Sequence, residues 1–204
     1  MARTRSAGYA GQRDEILGAA ARLFAQRGYS ATSMNDVAQA SGVSKATLYH
    51  YVRDKHDLLA QITRGHVARL EAVLEEVGGQ RLPPEAHLRA LIGRFMQAYE
   101  HAQHEHRVLT EDVRFLEPAA RREVLEAQRR VVQAFADAIG ALRPDLQRST
   151  LAKPLAMLLF GMLNWTFTWL KAAGPLSHEA LAALAADLFF GGLPALRPSP
   201  TRSR

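Results

Sequence analysis

Apolar residues recur with the 3.6-residue period of an α-helix along nearly the whole chain, and this pattern limits the fold more than any other feature of the sequence. Pairs of glycines or prolines, such as Gly78-Gly79 and Pro83-Pro84, separate one such segment from the next. The first helix is expected to start beside Asp14, whose carboxylate suits the positive end of the helix dipole, and to stop at Gly28. The sequence therefore predicts an all-α fold of about nine helices joined by short connections.

Positive charge is concentrated at the two ends of the chain. The formal net charge is +6, of which residues 1–56 carry +4, residues 57–193 carry −1 and residues 194–204 carry +3. A basic N-terminal quarter on a neutral body is typical of a protein that binds a polyanion such as nucleic acid. The Pro- and Arg-rich residues 194–204 are expected to form a disordered tail.

The composition excludes several classes of protein. Because there is no cysteine among the 204 residues, a disulfide scaffold, a thiolate metal site and a cysteine nucleophile are all excluded. The first residues lack the apolar core of a secretory signal. The longest apolar stretch, Leu155–Leu170, is interrupted by polar residues and is shorter than the ~20 residues of a membrane span. We therefore expect a soluble, cytoplasmic protein with no membrane partner.

The segment from Met34 to Tyr51 has the spacing of a helix-turn-helix. Two helices that cross at a steep angle need a small residue at their contact, and Ala38 stands there. The short turn between them needs a positive φ, which Gly42 adopts at no steric cost. The outward positions of the second helix carry donors and aromatic rings in place of a Glu/Lys ladder, namely Ser44, Lys45, Thr47, Tyr49 and His50. Such a helix suits the major groove of DNA, although spacing alone also fits an ordinary corner between two helices.

Residues 11–70 closely resemble the N-terminal domain of the TetR family of transcriptional regulators. The resemblance is carried by Gly28-Tyr29, Thr32-Ser33, Ser41-Gly42-Val43-Ser44, Thr47-Leu48-Tyr49 and Lys55 followed by Leu58-Leu59. It implies a homodimer that represses transcription until a small ligand binds its C-terminal domain. The domains are then expected to be residues 1–56 for DNA binding, with the motif at about 32–51, and residues 57–193 for ligand binding and dimerisation.

By position, the resemblance also implies nine DNA contacts. They are Thr32 and Ser33 at the start of the second helix, Ser44 as the cap of the recognition helix, Lys45, Ala46 and Thr47 toward base edges, Tyr49 and His50 toward phosphates, and Lys55 as a clamp on a further phosphate. The chemistry agrees, because lysine can donate to guanine and a threonine or alanine methyl can meet the thymine methyl. Asn35 stands where many relatives have arginine, so we expect a weaker contact from the second helix.

The last two helices are expected to form the dimer interface. A helix through Leu155–Leu170 would be apolar all round and would have to be buried on every side. A two-fold bundle built from this helix and the last one, two from each chain, solves that problem. The residues predicted for this interface are Leu181, Leu184, Leu188 and Phe189. The alternative is a single central helix in a monomeric bundle.

The end of the chain more weakly resembles family members that sense acyl-CoA or aryl-CoA thioesters. The resembling marks are Gly161-Met162, Asn164-Trp165, Trp169 and the Gly174-Pro175 connection. The resemblance implies an apolar tunnel with cationic groups at its mouth. Three polar residues interrupt the apolar run, namely Asn164, Thr166 and Thr168. Their side chains are expected to bind the ligand, to form hydrogen bonds across the dimer axis, or to form hydrogen bonds with the backbone carbonyl four residues earlier. The candidate ligand-binding residues are Phe95, Tyr99, Met162, Asn164, Trp165, Thr168 and Trp169.

Other chemistry finds little support in the sequence. His101, His104 and His106 have the look of metal ligands, but on one continuous helix His106 points about 160° away from His104. There is no phosphate-binding glycine loop, and no nucleophile elbow is complete. We expect no metal, no cofactor and no enzymatic activity. The competing hypotheses are a helical enzyme or lipid carrier that uses the C-terminal cavity, and a regulator of the same fold that senses drugs.

Overall fold

The computed structural model describes residues 2–171 and 174–197, and within these residues every regular element is helical. The all-α prediction is confirmed, with ten α-helices where about nine were expected. The helices are α1 (Ala2–Arg27), α2 (Met34–Ala40), α3 (Lys45–Tyr51), α4 (Lys55–Gly79), α5 (Pro84–His101), α6 (Gln103–Glu111), α7 (Pro118–Leu142), α8 (Pro144–Arg148), α9 (Ala152–Asn164) and α10 (His178–Gly192). Three short 3₁₀ turns follow α6, α9 and α10, at Val113–Phe115, Trp165–Thr168 and Leu193–Ala195. In the described part of the chain, no helix is long and apolar enough to cross a membrane.

The chain divides into two compact units. The first contains the chain up to Val67 together with Ala102–Leu125, and the second contains Ala68–His101 and the chain from Glu126 onward. This division differs from the predicted boundary at residue 56, because α6 buries Val108 and Leu109 and packs along α1. A segment from the middle of the sequence therefore belongs to the same unit as the helix-turn-helix.

Helix α1 is longer than the sequence predicts. It begins at Ala2, so Asp14 lies inside the helix and not in its first turn. The part of α1 before Asp14 also packs on another helix, because the ring of Tyr9 stacks on Tyr51 of α3 with centroids 4.5 Å apart. Further along, the Arg13 guanidinium donates two hydrogen bonds to Gln61 Oε1 of α4. These contacts tie α1 to α3, the second helix of the predicted DNA-binding motif, and to α4, which follows the motif.

An aromatic cluster forms the centre of the second unit. The ring of Phe135 in α7 lies 4.8 Å from Phe95 of α5 and 4.7 Å from Phe160 of α9, measured between centroids. Offset and edge-on ring pairs of this kind add to the free energy of simple apolar burial. α5 also packs along α10. The second unit is thus a helical bundle with a filled core.

The predicted long helix through Leu155–Leu170 is wrong. α9 ends at Asn164, and Trp165–Thr168 continues as a 3₁₀ turn. The reason is local, since Thr166 and Thr168 both donate their hydroxyl hydrogens to the carbonyl three residues earlier, at 2.9 and 2.6 Å. Threonine hydroxyls compete with the backbone in this way and favour the tighter turn.

The C-terminal end is more ordered than predicted as far as it is described. Leu193 is buried, and its carbonyl accepts a hydrogen bond of 2.6 Å from Arg143. A 3₁₀ turn follows at Leu193–Ala195, so residues 194–197 are not the start of a disordered tail. Residues 198–204 of the predicted tail lie outside the described residues.

Candidate nucleic-acid interface

The turn between α2 and α3 has the geometry that the sequence predicts. Gly42 adopts a φ of +67°, and the amide of Val43 donates to the Ala38 carbonyl at 3.0 Å. Ala38 and Leu48 are buried on the inner sides of the two helices. A side chain at position 42 would be strained because few L-residues adopt this φ. The turn therefore holds α3 at a steep angle with one face outward.

That outward face of α3 carries the residues predicted to read DNA. Ser44 caps the helix by accepting the Thr47 amide at 3.0 Å, and the two hydroxyl groups lie 2.8 Å apart. Lys45, Ala46 and His50 are exposed, Tyr49 is 46% exposed and Thr47 is half-buried. Lys45 and Tyr49 are one turn apart and so share a face. The structure thus presents all five side chains of α3 named as DNA contacts, although contact with DNA itself remains a prediction.

Thr32 and Ser33, which the sequence analysis treats alike, have different surroundings at the start of α2. Ser33 is the helix cap: its Oγ accepts the Asp36 amide at 3.2 Å, while the Asp36 carboxylate accepts the Ser33 amide at 2.8 Å. The Ser33 hydroxyl also donates to the Asp36 carboxylate, and this hydrogen bond, followed by the one from the Ser33 amide, lowers the pKa of Asp36. Thr32 is buried and donates its hydroxyl hydrogen to the Gly28 carbonyl at 3.0 Å. The Thr32 side chain is therefore covered by its own unit, and the expected contact of this residue with the DNA backbone stays a prediction.

Lys55 does not point into solvent as a phosphate clamp would. Its Nζ lies 3.0 Å from the Tyr29 carbonyl, 3.0 Å from the Thr32 carbonyl and 3.4 Å from the Ser30 carbonyl. It also lies 4.5 Å from the centroid of the Tyr29 ring. In this structure the ammonium group binds the loop that precedes α2, and the expected role of Lys55 as a phosphate clamp stays a prediction.

Tyr29 is the centre of a cluster that the sequence analysis missed. Its ring stacks on Phe115 with centroids 5.0 Å apart, and its hydroxyl lies 3.1 Å from Nδ1 of His56. The same Nδ1 lies 3.3 Å from the Phe115 carbonyl. Burial, followed by the nearby carboxylates Asp54 and Glu117, raises the pKa of Tyr29 to about 12. The Gly28-Tyr29 pair is the signal in the sequence, but nothing local indicates a partner more than eighty residues away.

The histidines of the 101–106 segment do not converge. α5 ends at His101 and α6 begins at Gln103, so the three histidines do not lie on one continuous helix. His106 is buried, with Nδ1 3.2 Å from Nε2 of His66 in α4, whereas His104 is exposed. Among the described residues, no group of three or more potential ligands surrounds a metal position.

The candidate ligand residues of the second unit lie in different surroundings. Phe95 is part of the aromatic core, and the buried Tyr99 donates its hydroxyl hydrogen to Asn164 Oδ1 at 3.0 Å. Burial raises the pKa of Tyr99. Trp165 and Trp169 are 56% and 53% exposed, contrary to the expectation that they flank an enclosed cavity. Met162 is half-buried and Thr168 is exposed, its hydroxyl bonded to the Trp165 carbonyl.

A groove of about 560 Å³ lies elsewhere in the second unit, between α5 and α10. Its floor is made of small residues, and a Cβ on Gly93 would meet nothing within 4 Å. Arg89 forms an ion pair with Asp187 at 2.8 Å toward one end, and Nδ1 of His178 lies 3.3 Å from the Glu100 carboxylate toward the other. The volume is within the range of small-molecule sites. Its lining residues are Arg89, Gly93, Gln97, Glu100, Glu179, Ala182, Ala183 and Ala186, and none of the seven predicted ligand residues is among them.

The predicted dimer residues of α10 divide into two sets. Leu181 and Phe189 are buried within the chain itself, so they are not free to meet a second copy. Leu184 and Leu188 are 58% and 67% exposed, one turn apart on the outer face. On α9, which packs against α10, Met157 and Leu158 are also exposed. We call the four exposed residues Met157, Leu158, Leu184 and Leu188 the apolar stripe.

Fold and site together define a helix-turn-helix protein with an all-helical second domain. Residues 16–62 match the family described as bacterial regulatory proteins of the tetR family. Residues 81–193 match the family described as the tetracyclin repressor-like C-terminal domain. The chain belongs to the TetR family of bacterial transcriptional regulators, which are not enzymes.

Known relatives and solved structures of this family match the chain over most of its length. A TetR-family transcriptional regulator from Bordetella parapertussis 12822 is 35% identical, with a TM-score of 0.84, over 92% of this chain and 98% of that one. The transcriptional repressor KstR2 of Mycolicibacterium smegmatis is 26% identical over 90% of this chain and 91% of its own. The structure of AibR in complex with isovaleryl coenzyme A and operator DNA has a TM-score of 0.76 and 27% identity, over 87% of this chain and 97% of that one.

Proposed function

We propose that this protein is a ligand-responsive transcriptional repressor that binds a palindromic operator as a homodimer. The observation that carries the proposal is the outward face of α3, where Lys45, Ala46, Tyr49 and His50 are exposed on a capped helix held by the Gly42 turn. Because operator DNA lies in the bacterial cytoplasm, the proposal also places the protein there.

The side chains of α3 suit two kinds of DNA contact, one to base edges and one to phosphates. Lys45 donates to guanine O6 and N7 in the major groove, while the methyl groups of Ala46 and Thr47 suit a thymine methyl. The Tyr49 hydroxyl and the His50 ring donate to phosphates and fix the register without reading sequence. Ser33, at the exposed start of α2, is proposed to approach the DNA backbone as well.

The apolar stripe supports dimerisation through α9 and α10. Four large apolar side chains are exposed on two helices that pack together, and exposed apolar surface of this kind is typical of an interaction surface. A two-fold axis through this surface gives the bundle of two helices from each chain that the sequence predicts. The two recognition helices are then expected about one DNA turn apart, ~34–36 Å, on one side of a palindromic site.

For the effector, we propose a CoA thioester. The support is the resemblance of residues 158–193 to thioester-responsive family members and the likeness to AibR, a protein whose structure contains isovaleryl coenzyme A. A drug-like cation is the second candidate, and one observation favours it: the groove between α5 and α10 has two carboxylates, Glu100 and Glu179, against one guanidinium, Arg89. Those carboxylates attract a cation and repel CoA phosphates.

The DNA part of the proposal is tested by selecting duplexes from a random library with the purified protein. We expect a palindrome whose half-sites are centred about 10 base pairs apart, or a multiple of one helical turn. Binding that shows no sequence preference, or a single asymmetric half-site, would contradict a dimeric repressor. A reporter gene joined to the selected site distinguishes repression from activation by whether expression rises or falls when the protein is removed.

The effector part is tested by release of labelled operator. Short-chain acyl-CoA, long-chain acyl-CoA, phenylacetyl-CoA, the matching free acids and a set of cationic drugs are titrated in parallel. We expect release by one thioester class with a coupling of about 5–150-fold in operator affinity, and much weaker effects of the free acids. Release by cations alone would reject the thioester and assign the effector to the acidic groove, where Glu100→Gln is the matched variant.

A further inference from the structure

The ammonium group of Lys55 has its full set of acceptors within the protein. A lysine ammonium carries three hydrogens and therefore donates three hydrogen bonds. Three carbonyl oxygens, those of Tyr29, Ser30 and Thr32, lie 3.0–3.4 Å from Nζ. The face of the Tyr29 ring covers a further side of the charge at 4.5 Å. These contacts direct the ammonium group toward the loop that precedes α2.

The carbonyls that Lys55 binds belong to the loop between α1 and α2. This loop begins after Gly28, which has a φ of +87°, and ends at Ser33, the cap of α2. Its conformation decides where α2 begins, and α2 carries the buried Ala38 on which the turn to α3 rests. A group that binds three carbonyls of this loop therefore controls the placement of the whole helix-turn-helix.

Phe115 completes the arrangement from a distant part of the sequence. Its ring stacks on one side of Tyr29 with an interplanar angle of 21°, while its carbonyl lies 3.3 Å from Nδ1 of His56, the neighbour of Lys55. The Tyr29 hydroxyl meets the same nitrogen at 3.1 Å. The connection between α6 and α7 thus holds both Tyr29 and the first turn of α4.

We propose that Lys55 is a positioning residue for DNA recognition and not a phosphate contact, and that Phe115 positions the same loop through Tyr29. The proposal rests on the proposed operator binding by α3. It assigns to the 29–32 loop, Lys55 and Phe115 one shared task, which is to set the position of α2 and hence of the recognition helix.

The salt dependence of operator binding separates a phosphate contact from a positioning residue. A lysine that neutralises a phosphate contributes about 0.9 to the slope of log affinity against log salt, and its removal lowers the slope by that amount. For Lys55→Ala we expect operator binding about 10- to 100-fold weaker with an unchanged slope. If the alanine variant does not fold, the same measurement is made on Lys55→Met, which keeps the aliphatic part of the side chain over the Tyr29 ring.

Two further measurements distinguish positioning from a general loss of stability. In the protein without DNA, amide hydrogen exchange at residues 30–34 should accelerate in Lys55→Ala, while exchange in the aromatic core of the second unit stays unchanged. In a double-mutant cycle, Lys55→Ala and Phe115→Leu should be non-additive in operator affinity, because both act through one loop. Lys55→Ala and Lys45→Ala should be additive within about twofold.

The outcomes are distinct. A slope lowered by about one, with unchanged exchange in the free protein, would show that Lys55 binds a phosphate and would overturn this proposal while leaving the repressor function intact. Unchanged operator affinity in Lys55→Ala, or additivity with Phe115→Leu, would overturn it as well. Absence of sequence-selective DNA binding by the unmodified protein would instead reject the proposed function itself.

Discussion

Replacing both leucines of the apolar stripe on α10 with glutamate should convert the protein into a monomer. Leu184 and Leu188 are 58% and 67% exposed, and both would be covered in the proposed dimer. Burying a whole leucine side chain stabilises by about 1.5–3 kcal/mol, so covering the exposed parts of both contributes about 2–4 kcal/mol from each chain. The two chains together then contribute about 4–7 kcal/mol to the dimer.

This free energy corresponds to a large change in the dissociation constant. Each 1.4 kcal/mol is tenfold, so loss of the leucine contacts alone weakens the dimer by about 10³- to 10⁵-fold. Four carboxylates brought together at the two-fold axis add charge repulsion and desolvation to that loss. The Leu184→Glu, Leu188→Glu protein should therefore be monomeric at micromolar concentration.

The assay is sedimentation equilibrium, with operator affinity measured in parallel. A monomer holds one recognition helix, so its affinity for the full palindrome should fall toward its affinity for an isolated half-site. Ala183→Glu is the matched control, because residue 183 is exposed on the same helix but lines the groove with Arg89 and not the apolar stripe. The control should remain a dimer. A double variant that keeps its helical content and still sediments as a dimer would refute the reasoning and move the interface elsewhere.

Three further predictions concern the first unit. Lys45→Ala should lose discrimination between bases at one or two base pairs of the selected operator, by about 1–3 kcal/mol each. The measurement compares the affinities of the variant and the unmodified protein for single-base variants of the operator. Unchanged discrimination would mean that α3 reads DNA through other side chains. Ser33→Ala removes the cap of α2 and should lower the free energy of unfolding by about 1 kcal/mol in urea titrations. Burial, followed by the charge of Glu111, raises the pKa of Asp112 to about 6. The folded state therefore binds the proton of this carboxyl group more tightly than the unfolded state does. As a result, the free energy of unfolding falls as the pH rises from about 4 to 6. Asp112→Asn should remove this loss and stabilise the protein by about 1–2 kcal/mol near neutral pH, with no gain near pH 4; an equal gain at both pH values would show that the carboxyl does not titrate in this range.

Much of the DNA-binding site could be predicted because it depends on contacts between neighbours in the sequence. The positive φ at Gly42, the cap at Ser44 and the outward side chains of α3 all follow from spacings of a few residues. Caps and turns are decided by backbone geometry within one or two helical turns, so the local sequence is sufficient. The all-helical fold was predictable for the same reason, since the apolar period is a local property of each helix.

The roles of Thr32 and Lys55 depended on contacts that no local pattern shows. Position relative to the family motif predicted that both face DNA, but Thr32 is buried and Lys55 binds loop carbonyls. The stacking of Phe115 on Tyr29 joins residues eighty-six positions apart, and it exists only once α6 packs on α1. Whether a polar side chain faces solvent or its own backbone is a property of such packing.

The sequence by itself determined the all-helical fold, the turn of the helix-turn-helix and the family, because these follow from local periodicity and from motifs of adjacent residues. Only the tertiary structure decided which apolar residues are covered. It buries Leu181 and Phe189 while it exposes Leu184 and Leu188, and it exposes Trp165 after α9 ends early at Asn164. The physical reason is that an apolar residue is equally favourable against any apolar neighbour, so its choice of partner is set by the arrangement of whole helices and not by its own position in the chain.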